Sequence, residues 1–182
     1  MRELSLNILD IVENSIKAKA KNVHVIVEAK DNVLTIQIKD DGCGMDKDFL
    51  AKVTDPFTTT RKTRSVGLGL PLLKMETEQS GGSFVIESEK NVGTTVTATF
   101  QIDHIDRPPL GNLPETVISM VTDLQSCEMV FEYIAFGEKF VFDTKQVKQE
   151  LGEYVFEDAE VLLLLKQMIE ENITTNHGGV SL

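Results

Sequence analysis

Apolar residues at three- and four-residue steps open the chain. Leu4, Ile8, Ile11, Val12 and Ile16 form one stripe of a helix. Asn7, Asp10, Asn14 and Lys17 recur at the same steps and line another face. Read alone, that second stripe is a solvated surface. The period then changes to two. Residues 22–29, NVHVIVEA, and 32–40, NVLTIQIKD, alternate like half-buried strands, and Asp31-Asn32 between them marks a hairpin. Residues 45–53, MDKDFLAKV, read as a short helix. Residues 54–66, TDPFTTTRKTRSV, carry no apolar period and read as a mobile loop. A helix is expected over 68–80, with Pro71 in its first turn and Gly81-Gly82 at its end. Strands are expected at 83–89 and 94–103.

Three prolines and a glycine fall within DRPPLGNLPE, 106–115, which reads as a linker. Beyond it come a helix (ETVISMVTDLQ), a hairpin turning at Gly137 (EMVFEYIAFGEKFVFD) and two more helices (TKQVKQELG and EDAEVLLLLKQMIEENI). The expected organisation is one domain over 1–105, the linker, a small acidic α/β unit over 116–175 and a flexible end over 176–182. Helices on one face of a mixed sheet make the first part an α+β protein, a two-layer sandwich.

Composition narrows the function classes. With 41% hydrophobic residues, 182 residues can bury a real core. No apolar run has the length of a membrane span, and MRELSLN lacks a signal-peptide core. No membrane association and a cytoplasmic location are therefore expected. Cys43 and Cys127 suggest no disulfide framework, and His24, His104 and His177 have no zinc-like spacing. The net charge of −11 is uneven: residues 111–182 hold 13 acids and 4 bases, a net of −9. That half is a poor match for nucleic acid.

Two glycine clusters carry candidate chemistry. KDDGCGMD, 39–46, comes directly after a strand. Gly42 and Gly44 permit close backbone approach, and Asp40 ends the strand with a carboxylate able to accept from an exocyclic amine. The other reading is a tight strand-to-helix turn. SVGLGLPLL, 65–73, lies where a loop enters a helix, a place where N–H groups and the helix dipole favour an anion. Arg61, Lys62 and Arg64 in the preceding loop suit a polyphosphate. A flexible helix start is the alternative. Neither cluster is GxGxxG or GxxxxGK[ST], so Rossmann and P-loop readings fail.

The ordered set is an Asn-bearing helix, a strand ending in DDGCG, a basic hydroxyl-rich loop, GLGL, and a closing strand with GTT at 93–95. Together these resemble the GHKL ATPase superfamily of gyrase, a heat-shock chaperone, histidine kinases and MutL, over roughly residues 1–103. DPFTTTR…VGLGLPLLK is most similar to the histidine-kinase branch, and VENSIKAKAKNVHV is also like MutL. The resemblance implies ATP and Mg²⁺ as ligands. It implies that Asn14 coordinates the magnesium and that Asp40 reads the adenine amine, with Gly42 and Gly44 opening space. Gly67, Leu68, Gly69 and Leu70 would wrap the phosphates with Arg61 and Lys62, and Thr94 or Thr95 would support the adenine end through water. Residues 54–66 would act as a lid.

In similar hydrolases and serine kinases the position four before that Asn is a Glu serving as general base; typical histidine kinases have Asn. Here it is Asp10, a methylene shorter than Glu, which makes it the candidate catalytic residue. The ATPase pattern starts at the first residues, so a stand-alone module without the dimerising helices is expected. Neither His24, in a strand, nor His104, in a Pro-rich segment, suits a phospho-acceptor. The expected function is therefore a regulatory kinase acting on a protein partner. A slow ATPase switching an interaction and a binding-only module are the alternatives. The C-terminal unit reads as a structural appendage or as a docking module, vaguely similar to tails of ATPase modules found beside redox enzymes.

Overall fold

The computed structural model describes residues 3–54, 69–124 and 127–176. Helix α1 (Leu4–Lys17) leads into strands β1 (Asn22–Lys30) and β2 (Val33–Asp40). The two-residue turn between them puts Asp31 at φ 49° and Asn32 at φ 63°, the left-handed pair that matches strand twist in a tight hairpin. Then come α2 (Lys47–Leu50), α3 (Gly69–Gln79), β3 (Phe84–Glu89), β4 (Gly93–Gln101) and α4 (Leu113–Asp123). The chain continues through β5 (Glu128–Ala135), β6 (Glu138–Asp143), α5 (Thr144–Leu151), a 3-10 turn at Val155–Glu157 and α6 (Ala159–Asn176). These elements match the sequence expectations in kind and order.

All six strands belong to one mixed sheet in the order β3-β4-β2-β1-β5-β6. Every pairing is antiparallel except β1 with β5. Alternation sends one side chain in two toward the helices. A single cross-strand row therefore runs Val96, Ile38, Val25, Phe131 and Phe142, all nearly inaccessible to solvent. Helices α1, α3, α4 and α6 pack on this side, with α1 against β2, α3 against β3 and β4, and α6 against β5 and β6. The result is the two-layer α+β sandwich expected from the sequence.

The segment 106–115, read as a linker from its prolines, is hydrogen-bonded to the start of α1. Leu4 and Ser5 donate their backbone N–H groups to the carbonyls of Pro109 (3.0 Å) and Leu110 (2.9 Å). Glu3, at the helix cap, makes no side-chain cap bond, so these carbonyls satisfy donors at the start of α1 that would otherwise be orphaned. Leu110 and Leu113 are buried in the common core. The elements beyond this segment have no separate core either. β5 completes the edge of β1, and Met129, Phe131 and Tyr133 lie in one cluster with Val25, Ile36 and Leu73. Local pattern reveals strands; it does not reveal which older strand a new one pairs with. Among the described residues, no helix is long and apolar enough to cross a membrane.

Phe131→Ala should cost about 3–5 kcal/mol. Because the core is shared, urea or thermal unfolding should shift as one transition that includes the α1–β2 region. Two transitions, only one of them moved, would show two independent units.

Candidate functional site

The carboxylate of Asp40 stands at the end of β2, where the hairpin reaches the C-terminal half of α1. Gly42 N–H donates to its Oδ1 at 2.8 Å, and the Ser15 hydroxyl donates to its Oδ2 at 2.8 Å. The Ser15 hydroxyl also reaches Ile11 O at 3.2 Å, but one proton serves one acceptor, and the shorter bond to a carboxylate takes it. Each carboxylate oxygen keeps a further lone pair for a ligand. The neighbouring Asp41 is spent elsewhere: it accepts from the N–H groups of Lys21 (2.7 Å) and Asn22 (2.9 Å) and from the Asn22 side chain (2.8 Å). Burial raises the Asp41 pKa, but those bonds outweigh it and hold the carboxyl below its ordinary value. Of the two acids in DDG, Asp40 is thus the one facing the cavity.

That cavity has a volume of about 230 Å³. Ile11, Met45, Phe49, Val53, Leu70 and Val96 supply apolar wall, while Asn14, Ser15, Asp40 and Thr94 supply polar groups. An apolar slot with few convergent polar groups is the usual form of a small-molecule site. Its volume falls below the roughly 300–1,000 Å³ of whole-ligand pockets. It suits a flat base rather than an entire nucleotide.

Close backbone packing shapes the slot. Gly44 has φ +59°, and a Cβ there would lie 1.9 Å from Glu89 O. Gly93 has φ +141°, and its Cβ would lie 2.0 Å from Asp40 O. At Gly42 an added Cβ would press on Asp40 Oδ1 at 2.9 Å and on Ala18 at 3.0 Å. The glycines therefore let the β2 end, the β3–β4 turn and α1 converge. Met45 N–H donates to Ser88 Oγ at 2.8 Å, and Ser88 Oγ lies 2.9 Å from Thr94 Oγ1. Asp46 caps α2 by accepting the Phe49 N–H at 2.8 Å, which sets Phe49 at the cavity.

Apart from the exposed Lys17, the polar stripe of α1 is not a solvated face. Asn7 is buried and donates through Nδ2 to Glu76 Oε2 of α3. Asp10 abuts the start of α3, where a Cβ on Gly69 would lie 3.3 Å from Asp10 Oδ2. Asn14 and Lys17 line the cavity, and Lys17 pairs with Glu13 at 3.0 Å. Asn14, Asp40, Gly44, Leu70 and Thr94 thus line one cavity, with Gly42 against Asp40 and Gly69 against Asp10. Thr94 pairs with Asp40 across the sheet and lines the cavity; Thr95 pairs with Lys39 and alternates to the opposite face. Arg61, Lys62, Gly67 and Leu68, with most of the expected lid, lie outside the described residues.

Sequence reasoning missed Ser15 and the apolar walls. Ser15 sits just off the polar stripe, on the buried side next to Asn14. A small hydroxyl one residue after the candidate metal ligand was the available signal. Cys127, by contrast, is a packing residue: burial first, then the charges of Asp41, Glu128 and Asp40, push its thiol up to about 11 against the opposing Lys148.

A family model described as "Histidine kinase-, DNA gyrase B-, and HSP90-like ATPase" matches residues 2–104, more than half of the chain. The chain belongs to this ATPase family. Its similar proteins include Sporulation kinase E of Bacillus subtilis (strain 168), 36% identical over 98 residues, which are 52% of this chain and 13% of that protein. Sensor histidine kinase WalK of the same organism is 34% identical over 99 residues, 50% of this chain and 16% of WalK. Histidine protein kinase DivJ of Caulobacter vibrioides is 32% identical over 107 residues, 56% of this chain and 18% of DivJ. The match spans less than a fifth of each of these relatives.

The donors present fit the ligands that the family implies. An exocyclic amine such as that of adenine would find acceptor lone pairs on Asp40, beyond those used by Ser15 and Gly42. No group of three or more His, Cys, Asp or Glu that could hold a metal ion occurs among the described residues. Magnesium bound mainly through phosphate oxygens and water needs no such cluster, and one Asn oxygen suffices.

Ser15→Ala should leave the fold intact and weaken ATP binding about tenfold, since Asp40 loses one of its two positioning donors, worth about 1–2 kcal/mol. Calorimetric titration of ATP into both proteins measures this. Equal affinities would remove Ser15 from the site.

Proposed function

We propose that this chain binds Mg·ATP and acts as a regulatory kinase that transfers the γ-phosphoryl group to a protein partner. The observation that carries the reading is the geometry of α1. Asp10 lies one turn before Asn14 and beside Gly69, where α3 begins. The base occupies the slot between Met45, Phe49 and Val96, with its amine on Asp40. The phosphates extend toward Asn14 and the start of α3, where N–H groups favour an anion. Bound Mg²⁺ supplies charge neutralisation on the phosphates, and Asn14 offers it a side-chain oxygen. Asp10 orients the partner's hydroxyl or imidazole and takes its proton as the new P–O or P–N bond forms and ADP leaves.

A second reading has a specific basis. Asp10 is a carboxylate, and a carboxylate at this position can serve water as readily as a partner group. Water in the acceptor's place makes the chain a slow ATPase, with nucleotide-dependent closure changing a protein contact. The similarity to sensor kinases favours phosphotransfer.

Incubation with γ-labelled ATP and candidate partners separates the two. Label on a partner, lost in Asp10→Asn with ATP affinity retained, is the expected result. Label released only as free phosphate would support hydrolysis instead. Turnover unchanged in Asp10→Asn would remove Asp10 from the chemistry, and ATP binding with no turnover in either protein would leave binding alone as the function. Asn14→Ala should weaken binding in the presence of Mg²⁺ by at least about tenfold while sparing the Mg²⁺-independent component. An equal loss with and without the ion would move Asn14 from metal to nucleotide contact.

A further inference from the structure

Helix α6 is apolar on two sides. Its sequence runs VLLLLKQMI, with four leucines in succession at 162–165. Consecutive helical residues are about 100° apart, so no single face can bury all four. Leu165, Ile169 and Ile173 point inward and join the common core. Leu163, Leu164 and Met168 point outward and are 57%, 63% and 38% exposed. A helix needing only solvent on that side would carry polar residues throughout. Leu151 and Tyr154 are also exposed, just before the 3-10 turn that packs against α6. Contiguous apolar surface of this kind marks an interaction site.

Charge selects the occupant. Glu160, Glu170 and Glu171 are exposed on α6, and Glu157 and Asp158 precede it. The chain beyond residue 110 contains no arginine and only four lysines. All four are engaged. Lys139 pairs with Glu132 at 2.8 Å, Lys148 with Glu128 at 2.8 Å, Lys166 with Glu115 of α4, and Lys145 donates to Asn22 Oδ1 at 3.0 Å. The apolar strip thus has an acidic border, and the one lysine of α6, Lys166, is already paired with Glu115. A second copy would bring the same acids to the same place, and an anionic lipid surface would repel them. We infer that the outer face of α6 is a docking surface for a basic amphipathic segment of a partner protein. Apolar side chains of that segment cover Leu163, Leu164 and Met168, and its Lys or Arg residues meet Glu160, Glu170 and Glu171. The surface is separate from the nucleotide cavity, so its failure would leave the ATP reading untouched.

The probe is a fluorescent synthetic helix with leucines at three- and four-residue steps and lysines elsewhere, titrated into the full chain. A matched peptide with glutamates for lysines is the control. The lysine peptide should bind in a salt-sensitive way, and the glutamate peptide should not. Leu164→Gln/Met168→Gln and, separately, Glu160→Gln/Glu171→Gln should each weaken binding about tenfold or more while urea unfolding stays unchanged. These side chains are on the surface, so both variants should fold. Absent binding, unaltered binding by both variants, or equal binding of the two peptides would overturn the proposal. So would light scattering that finds a dimer abolished by Leu164→Gln/Met168→Gln, which would give the face to a second copy. Sedimentation with anionic vesicles, lost in the same variant, would give it to a membrane.

Discussion

The carboxylate of Asp40 is the point on which the rest of the structure depends. It is the last residue of β2, and both of its oxygens are held from different parts of the chain, Oδ2 by Ser15 of α1 and Oδ1 by the Gly42 backbone. A charged group partly withdrawn from water is tolerable only with donors of this kind. The two bonds orient the acid and leave lone pairs directed into the slot. They also explain why glycines crowd here: Gly42 and Gly93 both lie where a Cβ would strike Asp40 itself. Sheet, helix and turn meet at one acceptor, and the proposed base recognition would depend on that meeting.

The second constraint is the shared core. A sheet of four strands, β3-β4-β2-β1, would leave the β1 edge open. β5 pairs with that edge in parallel, and its buried residues continue the rows begun by Val25 and Val27. The acidic half of the chain is therefore part of the body that holds the candidate site. Glu128 N–H donates to Lys21 O at 2.9 Å, and Lys145 reaches Asn22, the residue that also binds Asp41. One short hydrogen-bonded path connects the start of β5 and α5 to the residue beside Asp40. The same half carries its own unpartnered apolar strip on α6, on the far side from its packed residues.

Much of this was legible in the sequence, and the parts that were not share a physical reason. Sequence patterns located the α-helices and strands of the described residues, though not the 3-10 turn at Val155–Glu157, because alternation directly reports which side is buried. The Asp and Gly positions of DDGCG were legible because their roles depend on backbone geometry within a few residues. The polar stripe of α1 was ambiguous for the opposite reason. Asn7 is buried only because Glu76, far along the chain, comes to meet it. Ser15 was hidden since its partner is 25 positions away. The prolines of 106–115 suggested a linker, and local composition cannot show that Pro109 and Leu110 supply carbonyls to α1. Thr94 and Thr95 became distinguishable only through the register that sets Thr94 against Asp40.

The proposed recognition of an exocyclic amine by Asp40 is the part of the account most open to direct test. Inosine triphosphate is the probe, because its base carries a carbonyl in place of that amine and an N1–H in place of the adjoining ring acceptor. At the amine position the carbonyl would then face the Asp40 carboxylate, acceptor against acceptor. Competitive binding of the two nucleotides at equal Mg²⁺ should favour ATP by at least about a hundredfold, as expected where a buried polar group loses its partner. Equal affinity for ATP and inosine triphosphate would contradict this role for Asp40.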